Sequence, residues 1–439
     1  MAMVVKNNMS ALSTLNTLNK NTKALSKSLQ KVSSGMKINS AADDASGYAI
    51  SERMRVQIRS LDQANSNAQN GGSMMKVAEG AVSSTVEILK TLKEKAVNAA
   101  NDTNTDADRQ TIQKELDQSI DQINDNANVT FNGQYLVDGS KNSKTTATCT
   151  ALTNQSLAED TASSTKLTDL KARNNDSLNI QATDTITVSW VKDGKTYTAS
   201  NKVGSLTLDG ALKKMKDGNQ TLSTDITLGS GKTSFIAVDG SGNSVYTASG
   251  ESSITITSAA TGVDGQISGF TISITDNTGA VRKSANAALD AFDETLRAQN
   301  ESVDNSINLQ IGTKANQTIK VGLTDMKAQA LGLQGKNNDT IQVGNQEQAN
   351  AAINVLDAAI QKALDQQTTI GAVQSRLEYT QSNLTTASEN VTAAESTIRD
   401  ADMAKEMTEY TKNNVLMQAA QSMLAQANQS SSNVLSLLQ

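Results

Sequence analysis

Apolar residues near the start of the chain recur at alternating intervals of three and four. Val4, Ala11, Leu15, Leu18, Leu25, Leu29 and Val32 fall on one heptad seam, interrupted by Asn8 and Thr22. A helix of about 28 residues on this pattern would be roughly 42 Å long. Alone it would be marginal, because its stability must come from a partner for the stripe. The other end of the chain offers one. Leu384, Ala387, Val391, Ala394, Ile398 and Ala401 keep the rhythm, and Met407, Tyr410, Met417 and Leu424 continue it after a phase shift. Val434, Leu435, Leu437 and Leu438 are too apolar for a solvated tail.

A second long pattern runs from Ala45 to Ala100 through Met54, Ile58, Leu61, Ala64, Ala68, Met75, Ala78, Val82, Val86 and Leu89, weakened at Gly71-Gly72. Asp43 and Asp44 stand where an N-cap and a first-turn acid belong. A further helix is predicted from Thr105–Asp108 through Ile112, Leu116, Ile120 and Ile123, stopping in the Asn-rich stretch that follows. From Asn345 a helical pattern resumes through Ile353, Leu356, Ile360 and Leu364. The middle changes period. Ile186, Val188 and Trp190 alternate with Thr and Ser, and Asp193-Gly194 turns into 195–198. Short runs at 225–228, 234–238, 254–257 and 270–275 read as further strands. Glycine and methionine divide the same way: 13 of the 26 glycines lie between 140 and 299, where only Met215 of the 13 methionines falls.

Composition narrows the chemistry. The 439 residues contain no His, which excludes a Ser-His-Asp nucleophile, a His base and an imidazole-built zinc site. The single Cys, Cys149, excludes an internal disulfide. No proline interrupts the helices. Aromatics are only 3%, so helices must meet through small residues and narrow seams. A net charge of −6 argues against nucleic acid as a main partner. No run of 18 apolar residues exists to span a membrane, and the first 15 residues lack the apolar core of a Sec signal, so export would take another route.

Three segments imitate known sites. Gly229-Ser230-Gly231-Lys232-Thr233-Ser234 resembles the end of a phosphate-binding loop, but Ile226 stands where that motif needs its first Gly, so a hairpin turn is expected. Residues 102–113 space oxygen ligands like a calcium loop, yet Ala107 and Gln113 occupy its sharp-turn and bidentate positions, and a helix N-terminus is the better reading. No sequence context singles out a Ser-Lys dyad among many serines and lysines.

The stretch Val32-Ser33-Ser34-Gly35-Met36-Lys37-Ile38-Asn39-Ser40-Ala41-Ala42-Asp43-Asp44-Ala45-Ser46-Gly47 resembles the N-terminal signature of bacterial flagellins. Phe131-Asn132-Gly133 and Asp138-Gly139 resemble the end of their N-terminal conserved region. Leu424-Ala425-Gln426-Ala427-Asn428-Gln429 and Asn433-Val434-Leu435-Ser436-Leu437-Leu438 resemble their C-terminus. The likeness covers roughly 1–140 and 300–439. Two departures are plain: Ser430-Ser431-Ser432 fills a gap where the family usually has a proline, and without His the zinc-protease motif of some flagellins cannot be present.

The resemblance implies a mainly α fold with an inserted β-rich domain, in which both chain ends join in a long antiparallel coiled-coil bundle. It implies an inner terminal coiled coil of 1–44 plus 395–439, a helical rod of 45–139 plus 300–394 with short β elements, and a variable surface domain of 140–299. The implied function is structural: the subunit, not an enzyme and without a cofactor or metal, polymerises into the extracellular flagellar filament for swimming. Expected partners are other copies of itself, an export chaperone, and cap and junction proteins. Assembly contacts are expected at Leu15, Leu18, Leu25, Leu29, Val32, Met417, Leu424, Val434, Leu435, Leu437 and Leu438. The host Toll-like receptor for flagellin is a further partner by resemblance, with candidate contacts at Thr91, Lys93, Glu94, Lys95 and Glu115. Thr91 and Lys95 fall where the family has Arg and Leu, so this contact is expected to be weak. A hook-filament junction protein is the nearer alternative, and a secreted hydrolase using the middle domain the remote one.

Overall fold

The computed structural model describes residues 8–437 except 230, 232, 248 and 249, with side chains as far as Ser430. Three helices open the chain: α1 (Met9–Ser34), α2 (Ala45–Ala99) and α3 (Asp106–Ala127). A small hairpin of β1 (Thr130–Phe131) and β2 (Gln134–Tyr135) follows, then β3 (Ala151–Asn154), β4 (Thr185–Lys192), β5 (Lys195–Lys202) and the short α4 (Leu208–Lys213). Next come β6 (Lys216–Asp217), β7 (Gln220–Thr221), α5 (Leu222–Asp225), β8 (Ile226–Leu228), β9 (Phe235–Val238), β10 (Ser244–Tyr246), β11 (Ile254–Ser258) and β12 (Ile267–Thr275). The chain closes through α6 (Lys283–Leu289), β13 (Asp293–Leu296), β14 (Ile307–Gln310), β15 (Thr318–Val321), α7 (Gln346–Arg399) and α8 (Met403–Leu437). Helical ends and a β-rich middle are therefore what the periodicities predict.

Local chemistry sets the helix starts. The Asn8 carboxamide accepts from Ala11 N at 3.0 Å to begin α1, which ends where Gly35 enters the left-handed region at φ 71°. A reciprocal capping box between Thr105 and Asp108 starts α3, so residues 102–113 are a helix entry and not a cation loop. Asn345 caps α7 by accepting from Gln348 N at 2.8 Å. The α2 helix runs unbroken through Gly71-Gly72, where its pattern is weakest. Gly71 is needed for close approach: a Cβ there would stand 2.6 Å from Leu309 Cδ1.

The chain divides into two compact units. The first comprises Met1–Ala68, Gln310–Gln317 and Tyr379–Gln439. In it α1 and α8 lie antiparallel, as the pairs Asn8–Ala427, Asn21–Leu416 and Lys31–Glu406 require. Lower down, Leu61, Ala64 and Leu384 form a small buried cluster with Ala387 and Val391 against it. Asn67 Nδ2 donates to Gln310 O at 3.0 Å, tying α2 to the tip that connects β14 and β15.

The second unit, Gln69–Leu309 and Thr318–Glu378, holds the larger core. Met75, Val82 and Leu89 on α2, Leu116, Ile120 and Ile123 on α3, and Val355, Leu356 and Ile370 on α7 are fully or almost fully buried. The middle of the chain builds an antiparallel three-stranded sheet, β12-β4-β5, and a four-stranded one, β13-β3-β11-β8. Trp190 opposes Phe270 on β12 and Tyr197 on β5, and its indole N–H donates to the buried Asp225 carboxylate at 3.1 Å. Lys192 Nζ completes that site at 2.7 Å, so the buried charge is paired. The Asp193-Gly194 turn between β4 and β5 has positive φ at both residues, as a two-residue hairpin of this hand requires. The hairpin expected at 229–234 is not made, because the flanking strands do not pair with each other: β8 pairs with β11, and β9 with β10.

Candidate assembly interface

The signature at the end of α1 makes a compact junction within the first unit. Gly35 O accepts from Ala401 N at 2.9 Å, Lys37 N donates to Arg399 O at 2.7 Å, and Met36 bridges Asp400. The 36–44 turn is held by Asp43, whose Oδ2 accepts from the backbone of Asn39 and Ser40 and from the Ser40 hydroxyl, while Lys27 reaches its Oδ1 at 3.3 Å. Partial burial acts to raise the Asp43 pKa, but the Lys27 ammonium and these donors outweigh it and bring it below the ordinary value. Asp44 is the N-cap of α2, accepting from Ser46 and Gly47 N at 3.1 and 3.0 Å. Asp44, and not the expected Asp43, is thus the cap; Asp43 closes the preceding turn, and neither is a first-turn acid. Gly47 is required by close packing, since a Cβ there would meet Asp44 Oδ2 and Ile38 Cδ1, both at 2.6 Å.

Arg399 is the centre of this junction, and no periodicity argument singles it out. Its side chain is buried, its Nη1 donates to Glu52 Oε1 at 2.6 Å and to Ser51 Oγ at 3.4 Å, and its guanidinium lies 5.4 Å from the Tyr48 ring centre. Hydrogen bonding from Arg399 holds the Glu52 carboxyl below its usual range. One turn away Arg55 Nε meets Glu395 Oε1 at 3.1 Å. Glu395 takes the inward position predicted for Ala394, which is exposed.

On α1 the seam differs from the predicted one at every second position from Leu15 to Leu29, and on α8 at Met407. The less exposed residues of α1 include Ala11, Thr14, Leu18, Asn21, Leu25, Ser28 and Val32; those of α8 include Tyr410, Asn413, Met417, Ala420 and Leu424. Leu18, Leu25, Val32, Met417 and Leu424 therefore face inward as expected. Leu15 and Leu29 do not: they are exposed, together with Leu12, and the inward places fall to Thr14 and Ser28. Asn21 likewise replaces Thr22. At Asn21 and Ser28 polar side chains win their places by bonding across the seam: Asn21 Nδ2 donates to Leu416 O at 3.1 Å and Asn413 Nδ2 to Ser28 Oγ at 3.0 Å, neither of which a leucine could replace, whereas the Thr14 hydroxyl donates back to Ser10 O within α1. Lys31 and Glu406 close the seam at 3.2 Å. On α8 the expected seam residue Met407 is exposed, with Met403, Val415, Leu416 and Met423. The side chains of Val434, Leu435 and Leu437, and the whole of Leu438, lie outside the described residues. Both helices of this thin, partly polar-stitched pair thus carry exposed apolar residues outside the seam.

The remaining candidates lie in the second unit, on α2 and α3. Thr91 is exposed, its hydroxyl donating back to Glu87 O at 3.0 Å. Lys93 pairs with Asp357 of α7. Lys95 Nζ meets Glu115 Oε2 at 2.9 Å, joining two of the candidate residues directly; Glu94 is exposed beside them. Among the described residues no cluster of three acidic or thiol side chains could hold a metal, and no helix is long and apolar enough to cross a membrane.

Comparison with known proteins agrees with this arrangement of helical ends. Residues 5–142 match the model of the bacterial flagellin N-terminal helical region, and residues 353–438 match that of the C-terminal helical region. A flagellin of Clostridium tyrobutyricum is 36% identical over 428 residues, spanning 97% of this chain and 99% of that protein. A flagellin of Bacillus subtilis (strain 168) is 32% identical across 99% of this chain and 100% of its own length. Flagellin B of Vibrio anguillarum is 31% identical over the whole of both.

Proposed function

This chain belongs to the bacterial flagellin family, and from that premise we infer which of its surfaces make it a filament. It is a structural subunit that polymerises into the flagellar filament, and its family is structural rather than enzymatic. The assembly surface is the set of exposed apolar residues on α1 and α8. The observation that carries this is the partial displacement of the seam: Thr14, Asn21 and Ser28 share the inner face of α1 with Leu18, Leu25 and Val32, while Leu12, Leu15 and Leu29, and Met407 and Leu416, are exposed. Burying the exposed half of each such residue contributes roughly 1 kcal/mol, which the isolated subunit forgoes and a neighbouring copy supplies. Contacts between unlike surfaces that do not close on themselves generate an open helical polymer. Leu18, Leu25, Val32, Met417 and Leu424 act one step earlier, shaping the pair, and Val434, Leu435, Leu437 and Leu438 are carried in this proposal as further assembly contacts on their apolar sequence alone.

The three-part division into 1–44 plus 395–439 as inner coiled coil, 45–139 plus 300–394 as rod and 140–299 as outer domain is part of this reading. So are export through the flagellar secretion channel to the outside of the cell, and handling by an export chaperone and by cap and junction proteins. Recognition by the Toll-like receptor for flagellin is proposed to be weak. Thr91 offers no charge-assisted donor where the family has Arg, and the ion pair with Lys95 engages Glu115.

Seeded elongation tests the interface. A Leu15→Asn, Leu29→Asn chain should keep the wild-type helical content and melting of the monomer, within about 0.5 kcal/mol for exposed substitutions, yet fail to extend seeds. Elongation at the wild-type rate would overturn the assignment.

A further inference from the structure

Among the described residues the exposed methionines all lie in the first unit, where Met36, Met54 and Met417 are half-buried. In the second unit Met74, Met75, Met215 and Met326 are 8%, 0%, 0% and 1% exposed. In the first, Met9 on α1 and Met403, Met407 and Met423 on α8 are 69%, 43%, 46% and 62% exposed. They lie on the helices whose exposed apolar residues form the proposed assembly surface, beside Leu12, Leu416 and Val415. We propose that Met9, Met403, Met407 and Met423 form an oxidant-sensitive modification site through which a peroxide switches the free subunit out of polymerisation.

The chemistry is a two-electron oxygen transfer. The thioether sulfur attacks one oxygen of hydrogen peroxide, the O–O bond breaks, an S–O bond forms, and the second oxygen leaves as water after taking up the proton. Sulfur is oxidised and peroxide reduced, with no further reactant. The product changes the physics of the surface. A flexible apolar side chain becomes a polar one with a strong acceptor oxygen. Buried against the apolar residues of a neighbouring copy, that oxygen finds no donor, and the contact is lost. The α1–α8 seam is spared, because it is stitched by Asn21, Asn413 and Ser28 rather than by these sulfurs. The modified subunit therefore keeps its fold and loses its place in the polymer. In the polymer the same sulfurs are covered, so a filament resists an oxidant that disables free subunits. This inference rests on the assembly surface proposed above.

The test uses the full chain as monomer and as filament, with hydrogen peroxide as oxidant and peptide mass spectrometry to map sulfoxides. Monomers should oxidise at Met9, Met403, Met407 and Met423 well before Met75 and Met215, and their seeded elongation should fall about tenfold or more for sulfoxides buried without donors. Methionine sulfoxide reductases of both stereospecificities should restore it. A Met9→Leu, Met403→Leu, Met407→Leu, Met423→Leu chain should elongate equally before and after peroxide. Filaments should protect the four positions. Undiminished elongation by monomers carrying the four sulfoxides, with filaments protecting them, would overturn the switch alone. Equal reactivity of the four in filament and monomer would overturn the assembly surface and the switch with it. A leucine variant that peroxide still disables would also defeat the proposal.

Discussion

Arg399 joins Tyr48, Ser51 and Glu52 of α2 to the α7–α8 corner, and its backbone accepts from Lys37 at the end of α1. Replacing it by Leu removes the guanidinium but not the turn, so backbone protection over 36–52 should fall about tenfold or more as charge-assisted bonds are lost. Amide hydrogen exchange of the full chain would measure this, and unchanged protection would show the junction to be held by its backbone bonds alone. Glu52 sets the pH dependence of the same junction. Its pKa is lowered in the folded chain, so its contribution is present above the ordinary glutamate value of 4.5 and is lost as the pH falls through the depressed value. Asp43, also lowered, acts in the same direction. Protection of 36–52 should accordingly decline in acid, and Glu52→Gln should flatten that decline while lowering protection at neutral pH.

At the scale of the helices, α1 and α8 are mutually dependent. Each has a narrow inner face, in which apolar residues alternate with small and polar ones, that cannot hold an isolated helix of its length against chain entropy. Deleting 1–33 or 406–439 should leave a soluble monomer whose remaining terminal helix loses its circular dichroism signal, while the β-rich middle, with its Trp190–Phe270 core, keeps its tryptophan emission. Filaments of normal length from either truncation would refute the dependence. Cys149 lies outside these helices, half-buried, with burial pushing its thiol pKa up. Cys149→Ser should polymerise normally by light scattering.

For the whole molecule, the proposed reading assigns polymerisation and receptor recognition to separate surfaces: exposed apolar residues of the first unit, and the α2–α3 face of the second. Thr91→Arg with Lys95→Leu should therefore raise receptor signalling by monomer about tenfold or more, if two contacts of roughly 1 kcal/mol or more are regained. Lys95→Leu also frees Glu115 from its 2.9 Å ion pair. Seeded elongation should not change. An unmodified chain as potent as other flagellins would refute the proposed weakness.

Much of this was legible before any fold was known, because it depends on near neighbours. The 3-4 rhythm, the Thr105–Asp108 capping box, the Asp193-Gly194 turn and the alternation around Trp190 each encode a local geometry, and the paired terminal motifs identify the family. Tertiary structure decided which of two nearly equivalent stripes on α1 turned inward. Leu15 and Leu29 differ from Thr14 and Ser28 by one position, about 100° around the helix, so hydrophobicity alone favours the leucines. The inward choice depends on Asn413 and the backbone of Leu416, some 390 residues away, supplying bonding partners. Arg399 was invisible for the same reason: a lone Arg at a helix end has many solvated precedents. Only the convergence of Tyr48, Ser51 and Glu52 on one buried guanidinium makes it a structural centre.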